Sequence, residues 1–268
     1  MNEPTFLSSS ETQLAERYLC DGYVVSKVAE EDALYQIRNK IVDVVKKLLD
    51  VETTQPDELL NQIHEYVSSE ELNQFRVRVI EEINRDKLLK PLYFAVAKPL
   101  LESLVGNELV MQRRVNLSIQ LPEDETSLLP VHADVWSGNS PFEVVVWLPL
   151  VDCYGTKTMF ILPPEATKEV HQDFRRFQSG SSEELFQSIK DKLHWIQIAY
   201  GQVLLFNQTL PHGNRVNQES ETRWSMNCRF KTIFSPYSDK KFGEYFEPIT
   251  LRPASRVGIQ YRFPGEED

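Results

Sequence analysis

Two histidines and one aspartate in this chain have the spacing of metal ligands. His132 and Asp134 flank a single alanine in the run HADVW, and His212 follows much later in the run LPHGN. Residues two apart on a β-strand point to the same face, so His132 and Asp134 can present an imidazole and a carboxylate to one point. Two histidines and one carboxylate on one face of an iron leave its opposite face open for other ligands. The set predicts a non-heme iron centre at His132, Asp134 and His212, with the pairing to His212 as an inference.

The surroundings of these residues favour a metal site over an ordinary hydrogen-bonded His-x-Asp pair. Apolar, strand-like runs lie close to both ligand positions, VVVWLPL in one case and VLLF in the other. Glycines follow both positions, at Gly138 and Gly213, where loops are expected. The alternatives for the second histidine are His171 and His194. His171 lies in a polar helical stretch, and His194 precedes a strand but is not followed by a strand that carries an arginine.

The alternating run RWSMNCR places a row of polar residues on one face of a predicted strand. These are Arg223, Ser225, Asn227 and Arg229. The row is either the solvated side of a sheet or the lining of a pocket inside a barrel. In a pocket, Arg223 would offer a planar, bidentate fork to a carboxylate. We expect the chain to turn after His212 and return as the adjacent antiparallel strand, which would bring Arg223 next to the metal.

A second alternating segment, residues 110–120, is predicted to be a strand with one polar face. Its polar residues are Gln112, Arg114, Asn116, Ser118 and Gln120. Such a face can be solvated, or it can line a pocket that holds a polar cofactor, and both possibilities stay open.

The elements that must position these residues change in character along the chain. Apolar residues at helical spacing predict a helix over 30–49, Ser68 and Ser69 with two glutamates open another, and a third is expected around 88–105. After residue 108, short strands with few helices between them indicate a double-sheet jelly roll. The predicted fold class is mainly β with N-terminal helices, a double-stranded β-helix (jelly-roll or cupin-like) core buttressed by helices.

We expect one domain over residues 1–268. Its parts are helical N-terminal support at 1–107, a jelly-roll core at 108–235 and a C-terminal extension at 236–268. A polar insertion at 165–192 follows two prolines and lies between core strands. We predict that it is a lid that orders when substrate binds.

Composition narrows the choice of partners. A net charge of −11 disfavours nucleic acid and anionic membrane surfaces, because a field of that sign repels both. No apolar run approaches the roughly 20 residues that a membrane helix needs. The N-terminus is acidic without a signal-peptide core, and three unclustered cysteines suggest neither a disulfide framework nor a zinc site. We therefore expect a cytoplasmic protein that acts on a small molecule.

Taken together, four motifs carry a resemblance to a known family. In their order along the chain, HADVW, VVWLPL, GQVLLFNQTLPHGNRVN and TRWS resemble the Fe(II)/2-oxoglutarate oxygenases, specifically the phytanoyl-CoA dioxygenase-like branch. The early run YLCDGYVV is similar to the N-terminal segment of that branch. The longer run HADVWSGNSPFEVVVWLPLVDC resembles a subgroup from bacterial cell-surface carbohydrate gene clusters. The resemblance covers roughly residues 14–234.

This resemblance implies a site made of an iron ion, 2-oxoglutarate and O2. It implies that His132, Asp134 and His212 bind Fe(II), and that Arg223 holds the distal carboxylate of 2-oxoglutarate with Ser225 beside it. Further residues implied near the co-substrate are Asn116 and Trp147. The sequence departs from the family where YGTKTMFILPPEATKE replaces a Gly-rich segment and a Pro-Gly-Ser-His run, so the pocket rim there is not predicted.

The retained carboxylate of Asp134 favours hydroxylation, because halogenating relatives have a small residue at this position. The expected reaction is hydroxylation of a C–H bond in a sugar, a nucleotide sugar or another sugar-containing intermediate of carbohydrate biosynthesis. Trp136 is expected either to wall the substrate pocket or to be a core residue. Other candidates to meet the substrate are Gln112, Arg114, Arg175, Arg176 and Arg229.

Two other functions are compatible with the pattern. A cupin-type metal-dependent isomerase or epimerase presents similar ligands and needs no 2-oxoglutarate. A jelly-roll carbohydrate-binding module needs no buried metal triad. Arg223 discriminates among the three, because only the oxygenase requires a clamp for the co-substrate carboxylate.

Overall fold

A computed structural model describes residues 6–52, 55–172 and 181–265 of the chain. Six helices lie within residues 9–104. They are α1 (Ser9–Asp21), α2 (Glu31–Leu49), α3 (Pro56–Asn61), α4 (Ser69–Arg85), α5 (Leu89–Ala95) and α6 (Lys98–Leu104). Ser68 caps α4, and its partner Glu71 completes a capping box. The expected helix over 88–105 is two helices, since Pro99 in the first turn of α6 lacks the N–H that would continue α5.

The largest sheet has seven strands, all paired antiparallel. Its order is β1 (Tyr23–Lys27), β7 (Gln202–Asn207), β4 (Val144–Pro149), β9 (Arg223–Thr232), β2 (Leu109–Gln112) and β10 (Phe246–Thr250), and β3 (Asn116–Gln120) also pairs with β9. One face of this sheet packs against α2, α4 and α5 in a single apolar cluster. Val146, Trp224 and Met226 belong to that face. The alternate residues of the same strands therefore point to the opposite face.

A small second sheet lies opposite the free face of the large one. It consists of β6 (His194–Trp195), β5 (Phe160–Ile161) and β8 (His212–Gly213), with β5 in the middle. An isolated antiparallel bridge between His132 and His212 adds the chain before Asp134 to its edge. The cavity described below lies between the two sheets.

Helical support on one face of an antiparallel sheet is present as predicted, but the described residues contain more helix than strand. The architecture is therefore helix plus antiparallel sheet with a jelly-roll-like core, not mainly β. The closed double-stranded β-helix and the division into one domain remain predictions. Among the described residues, no helix is both long and apolar enough to cross a membrane.

Several predicted strands are shorter than expected. The segment 110–120 is interrupted at Arg113 and Arg114, which bend the chain between β2 and β3.

The insertion contains α7 (Pro164–Gln172), α8 (Ser182–Ile189) and a 3-10 turn at Lys190–Lys192. Residues 173–180, which include Arg175 and Arg176, lie outside the described residues, and the lid at 165–192 remains a prediction. One further helix, α9 (Pro253–Gln260), follows the last strand.

Candidate metal centre

The fold brings His132, Asp134 and His212 together. One ligand atom from each residue lies within 4.8 Å of the others. The backbones of the two histidines are bonded to each other in both directions, with N···O distances of 3.0 and 2.8 Å, and their ring centroids are 4.4 Å apart. Among the described residues, this is the one group of three or more such side chains that could hold a metal ion. The spatial convergence expected of the three side chains is therefore present.

The local backbone at Asp134 differs from the predicted strand. Ala133 is extended, but Asp134 opens a 3-10 turn (Asp134–Ser137) that ends at Gly138 in the left-handed region, at φ +81°. The convergence of His132 and Asp134 therefore does not come from a shared strand face. It comes from a bridge at His132 followed at once by a tight turn.

Each histidine is fixed by a backbone carbonyl two residues earlier. His132 Nδ1 lies 2.8 Å from the Pro130 oxygen, and His212 Nδ1 lies 2.9 Å from the Leu210 oxygen. A carbonyl can only accept, so each Nδ1 carries the hydrogen and each Nε2 keeps its lone pair for a metal. Burial lowers the pKa of His212 to about 4, which keeps this imidazole neutral.

The two oxygens of Asp134 have different surroundings. Oδ1 lies 3.8 Å from His132 Nε2, on the side of the histidines. Oδ2 accepts hydrogen bonds from Arg229 Nη2 at 2.6 Å and Nε at 3.1 Å. Oδ1 is thus the carboxylate atom available to a metal.

A cavity of about 230 Å³ extends from these three residues between the sheets. Its apolar wall includes Val145, Met159 and Phe206, and the polar residues that line it are Asn116, Ser118, Asn214, Arg223, Asn227 and Arg229. The polar rows on β3 and β9 therefore face the interior of the protein, which decides between the two readings that the sequence left open. Trp147 lines the same cavity from β4, and Asn116 lines it from β3.

Arg223 is buried at the other end of the polar row on β9. Its Nη1 donates to the Thr158 oxygen at 2.9 Å and its Nη2 to Ser118 Oγ at 3.0 Å. Its Nε and the Ser225 hydroxyl are both buried, and neither has a hydrogen-bond partner within residues 6–52, 55–172 and 181–265. Burial lowers the pKa of Arg223 to about 10, still well above neutral pH. In the part of the chain that the structure describes, no carboxylate forms an ion pair with this guanidinium, so the pair fits a carboxylate-bearing ligand.

The relation between His212 and Arg223 differs from the prediction. His212 lies on β8 in the small sheet, and Arg223 begins β9 in the large sheet. The two residues line one cavity from opposite sheets, instead of lying on adjacent strands. The short connection between them is compatible with either arrangement.

Three other candidates, Gln112, Arg114 and Trp136, occupy different places. Gln112 is buried and accepts a hydrogen bond from Arg229 Nη1 at 3.2 Å. Arg114 is exposed at the bend before β3 and does not line the cavity. Trp136 packs against the apolar cluster that contains Val131 and Phe160. Its position therefore favours a core residue over a wall of the substrate pocket.

The alternative histidines lie outside this group. His194 is exposed, and its Nδ1 lies 3.3 Å from the Tyr23 hydroxyl. His171 is exposed on α7. Neither belongs to the group that could hold a metal.

Sequence reasoning missed a buried polar network behind Asp134. Glu143 is buried and accepts hydrogen bonds from the Ser140 N–H at 2.8 Å, from Asn139 Nδ2 at 2.9 Å and from Gln208 Nε2 at 2.7 Å. Gln208 in turn accepts from Arg229 Nε at 3.2 Å. A glutamate immediately before the apolar run VVVWLPL was the available signal, since a buried carboxylate requires partners.

Asn214 was also missed, and it fastens the two ligand segments together. Its Oδ1 accepts from the Leu129 N–H at 2.6 Å, and its own N–H donates to the Leu129 oxygen at 3.0 Å. These bonds tie the chain just before His132 to the chain just after His212.

Compared by sequence, the chain matches no protein-family model and no curated protein. Compared by structure, it is similar to several non-heme enzymes. The nickel complex of the non-heme monooxygenase ThoJ is 16% identical, with a TM-score of 0.56 over 90% of this chain and 85% of that chain. SnoK, a non-heme alpha-ketoglutarate-dependent carbocyclase from nogalamycin biosynthesis, is 16% identical, with a TM-score of 0.56 over 93% and 100%.

HygX from Streptomyces hygroscopicus, solved with nickel and 2-oxoglutarate bound, is 14% identical, with a TM-score of 0.50 over 88% of this chain and 90% of that chain. At these identities the likeness concerns the fold. The chain has the fold of these non-heme enzymes, and its own side chains must carry the argument about function.

Proposed function

We propose that this chain is an Fe(II)- and 2-oxoglutarate-dependent oxygenase. One observation carries the proposal: a single cavity joins three side chains able to bind a metal to a buried arginine that has no carboxylate partner among the described residues. A metal site alone would suit a cupin-type isomerase, and a polar cavity alone would suit a carbohydrate-binding module. Only the oxygenase uses both features at once.

The residues of the chain would have distinct roles. Nε2 of His132, Nε2 of His212 and Oδ1 of Asp134 would bind the iron. Arg223 would pair with the distal carboxylate of 2-oxoglutarate. The Ser225 hydroxyl, which is buried without a partner among the residues described, would donate to the same group.

Other wall residues would shape the pocket around the co-substrate. Asn116 would contact 2-oxoglutarate, and Trp147 would pack against it with Val145, Met159 and Phe206 excluding water. Iron and 2-oxoglutarate would supply the oxidising chemistry with O2, and the protein would supply orientation.

We further propose hydroxylation of a C–H bond in a sugar or a sugar-containing intermediate. The support for a sugar is the resemblance of HADVWSGNSPFEVVVWLPLVDC to proteins of carbohydrate gene clusters. The support for hydroxylation is the carboxylate at Asp134. The structural neighbours include a monooxygenase and a carbocyclase, so the fold alone does not determine the outcome of the reaction.

Anaerobic titration with Fe(II) and 2-oxoglutarate tests the proposal. The wild-type protein should develop a visible charge-transfer band only when both are present. His132→Ala, Asp134→Ala and His212→Ala should each lose the band and bind Fe(II) more weakly while remaining folded. His194→Ala, which removes a histidine outside the group, serves as the matched control and should keep the band.

Two results would contradict the proposal. Binding of Fe(II) without any band on addition of 2-oxoglutarate would favour the isomerase. Failure of the wild-type protein to bind metal would favour the binding module.

A further inference from the structure

We propose that Arg229 is a positioning residue that holds the outer oxygen of Asp134, so that the carboxylate presents one oxygen to the metal. The inference rests on the proposed function, because it assumes that Asp134 is a metal ligand. It assigns Arg229 a role different from both substrate binding and co-substrate binding.

The grip on Asp134 is made by two nitrogens on a single oxygen. Arg229 Nη2 and Nε donate to Oδ2 at 2.6 and 3.1 Å, and the side chains of both residues are largely buried. Hydrogen bonds between ionised groups are about twice as strong as neutral ones. Rotation of the carboxylate to chelate a metal with both oxygens would break this grip, so Oδ1 is left as the single ligand atom.

Arg229 is itself held in place from the other side. Its Nη1 donates to Gln112 Oε1 at 3.2 Å and lies 3.4 Å from the Tyr245 hydroxyl, and its Nε is shared with Gln208 Oε1. Every nitrogen of this guanidinium therefore has a partner. The buried Nε of Arg223 has no partner in the part of the chain that the structure describes, so Arg223 is the arginine that can receive a carboxylate ligand.

The positive charge of Arg229 would repel a nearby divalent cation, but the carboxylates of the polar network offset this charge. Glu143 is buried and bonded through Gln208 to the same guanidinium. With the fully buried Lys231 near Glu143 included, the formal charges of Asp134, Glu143, Arg229 and Lys231 sum to zero, so the surroundings of the metal do not become cationic. We therefore expect geometry, more than charge, to determine what Arg229 does for metal binding.

Calorimetric titration with Ni(II) tests the inference without turnover, and Ni(II) generally binds more tightly than Fe(II) to such ligands. Arg229→Lys keeps the charge and loses the two-nitrogen grip. It should weaken Ni(II) binding by about 10- to 100-fold, the usual effect of removing a partner of a metal ligand. In an Asp134→Ala background, the same substitution should change the Ni(II) affinity by less than about 2-fold, since additivity is lost when two residues act through one another.

Further variants separate the alternatives. Gln208→Leu removes one support of Arg229 and should give a smaller loss of affinity that also depends on Asp134. Arg215→Lys alters a half-exposed arginine paired with Glu183 and should leave Ni(II) binding unchanged. The visible spectrum of the Co(II)-substituted protein should shift in Arg229→Lys, because Oδ2 is released, and should not shift in Arg215→Lys.

The outcomes distinguish this inference from the proposed function. If the wild-type protein fails to bind Ni(II), the metal site itself is wrong. If the wild-type protein binds and Arg229→Lys binds equally well with an unchanged Co(II) spectrum, the positioning role alone is wrong. Tighter binding in Arg229→Met, or a loss in Arg229→Lys that persists without Asp134, would also contradict it. If Arg229→Lys does not fold, Gln208→Leu with its own Asp134→Ala double variant decides the question.

Discussion

Arg223 and Arg229 lie on the same face of one strand and have opposite surroundings. Arg229 pairs with Asp134 and donates from every nitrogen, while Arg223 has no acidic partner among the described residues. Six residues of strand place their Cα atoms about 20 Å apart, at opposite ends of the polar row. The sequence could identify both as inward-facing candidates, but only the position of Asp134 shows which one is already engaged.

Ser225 provides a prediction at the scale of one residue. Its hydroxyl is buried without a hydrogen-bond partner among the described residues, so Ser225→Ala should not lower the free energy of unfolding of the ligand-free protein. A hydrogen bond to a charged group contributes about 1.5–3 kcal/mol, so the same change should weaken 2-oxoglutarate binding by roughly 10- to 150-fold. Calorimetry on the Ni(II)-loaded variant measures the affinity, and urea unfolding measures the stability.

Ser188→Ala is the control for this prediction, because the Ser188 hydroxyl donates to the Leu185 carbonyl on the same helix, α8, away from the cavity. It should leave 2-oxoglutarate affinity unchanged. An unchanged affinity in Ser225→Ala as well would remove Ser225 from the co-substrate site.

At the scale of elements, the start of β9 is fastened to α3. The Thr222 N–H donates to the Asn61 oxygen at 2.7 Å, and the Trp224 indole donates to the Leu60 oxygen at 2.8 Å. Lys157 is fully buried, and its Nζ donates to Asn61 Oδ1 at 2.8 Å. Since Thr158 follows Lys157 and accepts from Arg223, the N-terminal helices help to hold the end of the cavity where Arg223 lies.

Asn61→Ala tests this support. The substitution leaves Lys157 with Glu221 as its remaining hydrogen-bond partner and should lower the free energy of unfolding by about 1.5–3 kcal/mol. Affinity for 2-oxoglutarate should fall, and affinity for Ni(II) should not, because the metal ligands lie on other segments. Asn73→Ala on the exposed face of α4 is the control. Equal losses for both ligands would mean that the effect is general loosening, not support of Arg223.

The elements that could be predicted were those with a long, regular pattern. Strand β9 alternates without interruption, and α2 has apolar residues at every turn. The strand expected at Asp134 was wrong, because period-two spacing over three residues cannot distinguish a strand from a bridge followed by a turn. The pairing of β9 beside β8 was wrong because a short connection can link neighbouring strands or facing sheets.

At the scale of the whole molecule, helices and sheet share one apolar core. Ile37 on α2 is fully buried in the cluster that also contains Trp224 and Met226 of β9. The residues on the opposite face of β9 line the cavity. Packing of the helices therefore bears directly on the sheet that positions Arg223 and Arg229.

Ile37→Ala tests whether the chain unfolds as the single domain predicted. Truncating a buried isoleucine typically costs about 2–5 kcal/mol, and far-UV and near-UV signals should shift together in urea. Gln36→Ala, on the exposed face of the same helix, should have little effect. If the helical far-UV signal and Ni(II) binding are lost at different urea concentrations, the helices and the sheet unfold independently.

The most direct test of the oxygenase site is binding of 2-oxoglutarate to the Ni(II)-loaded protein, compared between wild type and Arg223→Ala. Truncating one partner of a buried charge pair costs about 2–5 kcal/mol. Arg223→Ala should therefore bind 2-oxoglutarate roughly 30- to several-thousand-fold more weakly at unchanged Ni(II) affinity. Arg223→Lys should recover only part of the loss, because it offers a point charge in place of a planar fork. Equal affinity in wild type and Arg223→Ala, or no binding of 2-oxoglutarate to the metal-loaded wild type, would contradict the account.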